Sequence, residues 1–550
     1  MGITNLALDM DTTVIEGQLV DLQKMSVYGA SVTIRMGLIQ EIRKLNKSSG
    51  PFIVPGFIDA HIHIESSMLP PAEFARLAVA HGTVAVVSDP HEIANVLGVE
   101  GVEYMIENSR QVNFKCYFGA PSCVPATLFE TAGAEIDADA IDYLLSKPEI
   151  LYLAEMMNWP GVINKDPQVM KKIAMARKHR KPVDGHAPGL RGDALQKYAA
   201  AGISTDHECM SLDEALEKLA LGMHIIIREG SAARNFDALI PLLPEYANRV
   251  MFCSDDLHPD NLVKGHINLL VQRAVALGLD PLTVLQVACK NPAIHYGLDV
   301  GLLEEQHPAD LLVVEDLENF RVIQGYINGK KVTENNSSLI SRKVSVTPNK
   351  FFTGIKNTRD IMVEATGKNL RVIVAEDRQL ITREEILPVD INGNVSSDVN
   401  GDILKMVVIN RYTEATPAVA FIKNFGLKQG AIASSVAHDS HNIIAVGAND
   451  HSICEAVNHI IAHKGGVAAV SEMGKIILPL PIAGLMSDED GYQVAEQYTR
   501  VDAMAKSLGS DLEAPFMTLS FMALLVIPEI KLSDLGLFDG DRFEFVPLFL

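Results

Sequence analysis

Two histidines stand two residues apart in the stretch 55–67, PGFIDAHIHIESS. Side chains of a strand alternate between faces, so His61 and His63 point the same way, with Asp59 on that face just below them. Two imidazoles aimed together can take one metal ion, but two ligands do not make a site. The plainer reading is an ordinary strand with two chance histidines, and it holds unless further ligands arrive at equivalent places.

They arrive. Apolar runs at 55–61, 83–88, 115–119, 150–155, 182–186, 203–207, 223–227 and 250–254 read as strands. Helix-like segments lie between them at 71–81, 137–146, 167–180, 212–221 and 236–247. Strands and helices in alternation predict a (β/α)8 TIM barrel, with a doubly wound open sheet as the alternative. In such a barrel the chemistry sits where strands end. The second strand runs into Asp89, His91 and Glu92, the fourth into Glu155, and the fifth into His186. The sixth ends at His207 and Glu208, the seventh at Arg228 and Glu229, the eighth at Asp255 and Asp256. A purely structural barrel has no need of metal-competent side chains at so many strand ends.

Five or six nitrogen and oxygen ligands exceed the four of a closed structural zinc site, which favours two divalent ions. His61, His63 and Asp255 would hold one and His186 and His207 the other, with Glu155 and a hydroxide shared between them. Water so bound loses a proton near neutral pH and becomes a nucleophile. Asp255 would take that proton and return it to the leaving group.

The rest of the chain must position these groups. At 550 residues, 48% hydrophobic and 21% charged, it has ordinary globular composition and room for two or three domains. A net charge of −22 argues against holding a phosphate backbone, so no nucleic-acid partner is expected. No basic-then-apolar leader is visible at the start, Leu6 stands where a myristoylation signal needs Ser or Thr, and no apolar run spans a membrane. The six cysteines are scattered without a CxxC pair, as in a reduced cytoplasmic protein.

Short strands at 13–21, 31–35 and 38–44 form a first β segment, and the strand-rich stretch after the barrel has the same texture. The fold class expected is therefore α/β: a TIM barrel, a small β-domain built from both flanking segments, and a C-terminal α+β domain. The boundaries read as 1–50, 51–300, 301–345 and 346–550, with a polar linker at 337–350.

The strings PGFIDAHIHIESS, SDPHEIANVLG, LAEMMNWPGV, DGHAPGL, STDHE and CSDD resemble the adenine deaminase family of the amidohydrolase superfamily. SVAHDSHNIIAVG and GGVAAVSEMGKIILPLPIAGLMSDE extend the resemblance over nearly the whole chain. It implies hydrolytic deamination of adenine to hypoxanthine and ammonia at a binuclear site holding manganese or iron. The ligand types alone accept manganese, iron or zinc. Urease-like relatives bridge their metals with a carboxylated lysine from the fourth strand; Glu155 offers a ready carboxylate there. The PCxxC element of unrelated zinc nucleobase deaminases is missing.

Deamination needs a ring nitrogen protonated. Glu208 is the candidate donor, or else a carboxylate that orients His207. Asp256 and Glu229 would hydrogen-bond the purine, or pair with Arg228. His91 and Glu92 would reach the site from the second loop, or Asp89 would cap the next helix. His438, Asp439 and His441 would approach the barrel mouth, or form a solvated turn. With no glycine-rich phosphate loop, a free base suits the site better than a nucleotide. Adenine and water are the expected partners, in a homo-oligomer. The competing readings are an amidohydrolase for another cyclic substrate and a metal-free barrel used for assembly.

Overall fold

A computed structural model describes residues 12–46, 50–231, 233–390 and 393–550. The opening residues, read above for a leader and for myristoylation, lie outside them. Eight parallel strands form the barrel: β1 (Phe57–Ile62), β2 (Thr83–Ser88), β3 (Lys115–Ala120), β4 (Ile150–Met156), β5 (Val183–Gly185), β6 (Thr205–Asp206), β7 (His224–Arg228) and β8 (Val250–Cys253). They pair in sequence order within two sheets, β1 to β5 and β6 to β8. Two narrow seams close the ring. Ser204 N donates to Val183 O (2.9 Å) between β5 and β6, and Asp255 N donates to His61 O (3.0 Å) between the end of β8 and β1. Runs such as TVAVVS and VMFC are buried on both faces, as parallel strands covered by helices require.

Local chemistry sets the helix ends. Asp137, Asp166 and Ser211 each accept backbone N–H groups at the start of Ala138–Leu145, Pro167–His179 and Leu212–Ala220. The helix expected over 236–247 is broken into Phe236–Leu239 and Leu243–Tyr246, joined by a 3-10 turn. Pro241 and Pro244 lack the N–H that a continuous helix would need.

Strand Phe52–Pro55 leads straight into β1 across Gly56, where a Cβ would lie 2.3 Å from Val84 Cγ1. That strand belongs to an eight-stranded sheet, where it sits between Thr12–Asp21, to which it is parallel, and Leu311–Val314, to which it is antiparallel. Strands from before and after the barrel thus share one sheet.

A second eight-stranded sheet, from Asn369 to Pro479, forms the C-terminal domain. Its strands show period-two burial. Ala431, Ala433, Ile443 and Ala445 pack under helix Asp450–His463, while Ile432, Ile444 and Val446 join the apolar cluster continuous with the barrel. The string IILPLPIAGLM lies largely in that interior, with Ile482–Met486 fully buried. Polar ties also cross the boundary: Arg76 bridges Glu73 (2.6 Å) and Asp490 (2.9 Å). Among the described residues no helix is long and apolar enough to cross a membrane.

Candidate metal centre and active site

Side chains from five strand ends converge at the C-terminal mouth of the barrel. His61 Nε2 lies 3.3 Å from His63 Nε2 and 3.5 Å from Asp255 Oδ1, and His63 Nε2 lies 3.3 Å from the same oxygen. Glu155, at the end of β4, faces two ways. Its Oε1 is 3.4 Å from His63 Nε2; its Oε2 is 2.7 Å from His186 Nδ1 and 3.2 Å from His207 Nε2. Donors that share one ion at about 2.0–2.2 Å lie roughly 3.0–3.5 Å apart, which is the spacing of the His61–His63–Asp255 triangle.

The His63 tautomer agrees. His63 Nδ1 lies 3.1 Å from Asp89 O, a bond in which that nitrogen must carry the proton, leaving the Nε2 lone pair for a metal. All six groups are buried. Imidazole nitrogens and carboxylates gathered this closely and in this number fit a pair of divalent ions.

Arg228, the last residue of β7, organises the carboxylates. Its Nη2 donates to Glu208 Oε2 (2.7 Å), and its Nη1 donates both to Glu208 Oε1 and to Asp255 Oδ2 (2.6 Å). Burial alone would raise the Glu208 carboxyl, but Arg228 outweighs it and holds the group down at about 2. The same balance of burial against Arg228 keeps Asp255 well below the usual carboxylate range. The Arg228 fork thus favours the ionised form of Glu208. Asp255 itself adopts a left-handed backbone (φ 54°), uncommon outside glycine and concentrated at functional sites.

The second-strand loop and the C-terminal domain meet beside this centre. His91 Nδ1 lies 3.1 Å from Asp89 Oδ2 and 3.4 Å from Glu155 Oε1, and His91 Nε2 lies 3.4 Å from Glu92 Oε1. Asp89 does not cap the following helix, because its carboxylate turns to His91. Glu92 Oε1 lies 2.6 Å from His438 Nδ1, and its Oε2 lies against His441 Nε2. His441 Nδ1 accepts from Ala437 N, so its Nε2 carries the proton. The solvated-turn alternative for 438–441 fails: all four residues are buried.

Glu229 is not brought to the site. β7 ends at Arg228, and adjacent strand residues face opposite ways, so Glu229 turns outward to Arg273 (3.0 Å) and Arg234 (3.7 Å) and lines a separate cavity. Asp59 serves the scaffold, holding His266 Nε2 (2.8 Å) and the Ser254 backbone N–H (3.1 Å). Asp256 stays at the cavity and accepts from Ser66 Oγ.

A small cavity opens over the convergent donors. Met157 and Ala233 from the barrel and Leu380, Phe521 and Leu524 from the C-terminal domain supply apolar wall, with His438 and Asp439 between them. This far wall had no signature in the sequence, since apolar lining residues look like core. Arg228 had one: an arginine ending a buried strand has to find carboxylates.

A closed parallel barrel with this ligand set at its strand ends is the construction of the amidohydrolases, and residues 52–332 match the family model described as "Amidohydrolase family". Membership of that superfamily implies divalent metal. Residues 379–544 match the model "Adenine deaminase C-terminal domain". The chain is 56% identical over 528 residues to an adenine deaminase of Sulfurovum sp. (strain NBC37-1), covering 96% of this chain and 98% of that one. It is 56% identical over 540 residues to that of Salinibacter ruber (98% and 99% covered) and 51% identical over 547 residues to that of Methanosarcina mazei (97% and 99%). The chain belongs to the adenine deaminase family.

Proposed function

We propose that this chain hydrolyses adenine to hypoxanthine and ammonia, with His61, His63 and Asp255 holding one divalent ion, His186 and His207 the other, and Glu155 reaching both. The observation that carries the reading is Glu155 itself, a buried carboxylate with one oxygen 3.4 Å from His63 Nε2 and the other 2.7 Å from His186 Nδ1. Manganese is our choice of ion, with iron or zinc compatible with the same ligands. The metal pair supplies a water acidified to neutral pH and charge stabilisation where the amino group departs.

The chain's own groups manage protons and orientation. Asp255 takes the proton released as water adds to C6 and hands it to the amino group, which leaves as ammonia. Arg228, on the other oxygen of Asp255, holds the carboxylate in place between the two transfers. Glu208 picks up a proton during attack and delivers it to the neighbouring ring nitrogen. His91 and Asp256 hold the purine edge, while Met157 and Phe521 keep water off its faces. We place the enzyme in the cytoplasm as a homo-oligomer, acting on a free base and water without nucleic-acid or membrane partners.

The test is to incubate manganese-loaded protein with adenine and follow purine absorbance and ammonia together. Stoichiometric hypoxanthine and ammonia, lost on chelation, is the expected result. No turnover by protein holding two ions would reject adenine and direct the search to other aminopurines and cyclic amides.

A further inference from the structure

The metal-ligand end of the cavity accounts for C6 and its amino group and leaves the five-membered half of the purine without a partner. Opposite the strand ends, the wall belongs to the C-terminal domain, and its polar members come from one turn that carries His438 and Asp439. Asp439 is the member with unused capacity. It is 3% exposed, its Oδ1 is 3.9 Å from His91 Nε2, and its Oδ2 is buried with no hydrogen-bond partner. A buried carboxylate oxygen left unpaired is costly, so this position calls for a donor that the chain does not provide. Asp256, the other carboxylate of the cavity, accepts from Ser66 Oγ on one oxygen and is assigned above to the purine edge.

The turn is fixed in place. Tyr412 Oη donates to Ser440 O (2.6 Å), Asn442 Nδ2 donates to Thr131 O (2.9 Å), and His438 stacks on Phe521 with ring centroids 5.1 Å apart. Asp439 stands across His91 from the ligands. Only the His91 ring separates Asp439 from Glu155, with Nδ1 3.4 Å from the glutamate and Nε2 3.9 Å from the aspartate. Glu155 and Asp439 line the same cavity on either side of His91, so a purine set with its amidine edge at Glu155 can extend its imidazole half over His91 to Asp439.

We propose that Asp439 accepts a hydrogen bond from the ring N–H of the purine's imidazole half and thereby selects the free base over N9-substituted purines. This assignment rests on the adenine deaminase reading above and adds a substrate-binding residue from the second domain. Adenine carries one N–H on that ring in either tautomer; a nucleoside or 9-alkyl purine carries none. Without the donor, the buried oxygen stays unpaired when the substrate seals the cavity, and rejection on this basis is far stronger than rejection by shape.

Wild type, Asp439→Ala and Asp439→Asn, as manganese-loaded full-length proteins, are compared on adenine and 9-methyladenine. Wild type should prefer adenine in kcat/KM by about 100-fold or more, and Asp439→Ala should shrink that preference at least about tenfold, through loss on adenine rather than on the methylated base. Asp439→Asn keeps a carbonyl acceptor and should fall between them. Two ions per chain and an unchanged melting temperature establish that the site is intact; should the alanine variant not fold, the asparagine variant carries the comparison. An undiminished preference in a folded variant, or equal losses on both bases, overturns the assignment while leaving the deaminase reading standing. Failure of wild type to deaminate adenine overturns both.

Discussion

Glu155 and Glu92 are both buried carboxylates set among histidines, yet their surroundings differ in kind. Around Glu155 four imidazoles arrive from one barrel, and most donor pairs stand 3.2–3.5 Å apart, leaving space for an ion. Around Glu92 the imidazoles of His438 and His441 come from a different domain and make direct contact, 2.6 Å in the case of His438. The same residue types thus gather as a candidate metal centre in one place and as a latch between two domains in the other.

The comparison can be broken most forcefully at Asp255. Asp255→Asn keeps the shape and removes the proton carrier, so kcat should fall by about 1,000-fold or more with the fold retained, read by steady-state kinetics alongside circular dichroism. Retained turnover in a metal-replete variant would sink that role.

The latch makes a pH prediction. Burial works against charge on His438, but Glu92 outweighs it and holds the imidazole up at about 9, against 6.5 when unperturbed. Between those values the folded chain keeps a proton that the unfolded chain releases. The contribution is therefore fully present below pH 6.5 and fades as pH rises toward 9, by on the order of 3 kcal/mol. Denaturant melts from pH 6 to 9.5 should show this decline, and Glu92→Gln should flatten it. An equal slope in that variant would assign the linkage elsewhere.

The smallest effect belongs to Glu229. It faces outward beside Arg273, so Glu229→Gln should change kcat/KM by less than about twofold and stability by under about 1 kcal/mol. A large loss of activity would bring it back toward the cavity.

That residue also marks where sequence reading stops. The barrel strands were legible because each is an apolar run ending in polar residues, and a parallel sheet buries both faces of such runs. The candidate ligand positions followed from where the runs end. A one-residue uncertainty in the end of β7 sufficed to confuse Arg228 with Glu229, since one step along a strand reverses the face. The Arg228 fork onto Glu208 and Asp255 depends on three strand ends meeting, which no local pattern records. The far wall was less legible still. His438 and Asp439 could be singled out as polar residues, but their burial follows from two domains closing on each other, and Leu380, Phe521 and Leu524 carry no mark that separates lining from core.

The most direct test of the account is the metal content of wild type and Glu155→Gln after manganese loading and removal of free ion, counted by mass spectrometry of the metal. The account predicts two ions per chain in wild type and one or fewer in the variant, because a single carboxylate reaches both ligand groups. Two tightly held ions in Glu155→Gln would contradict it.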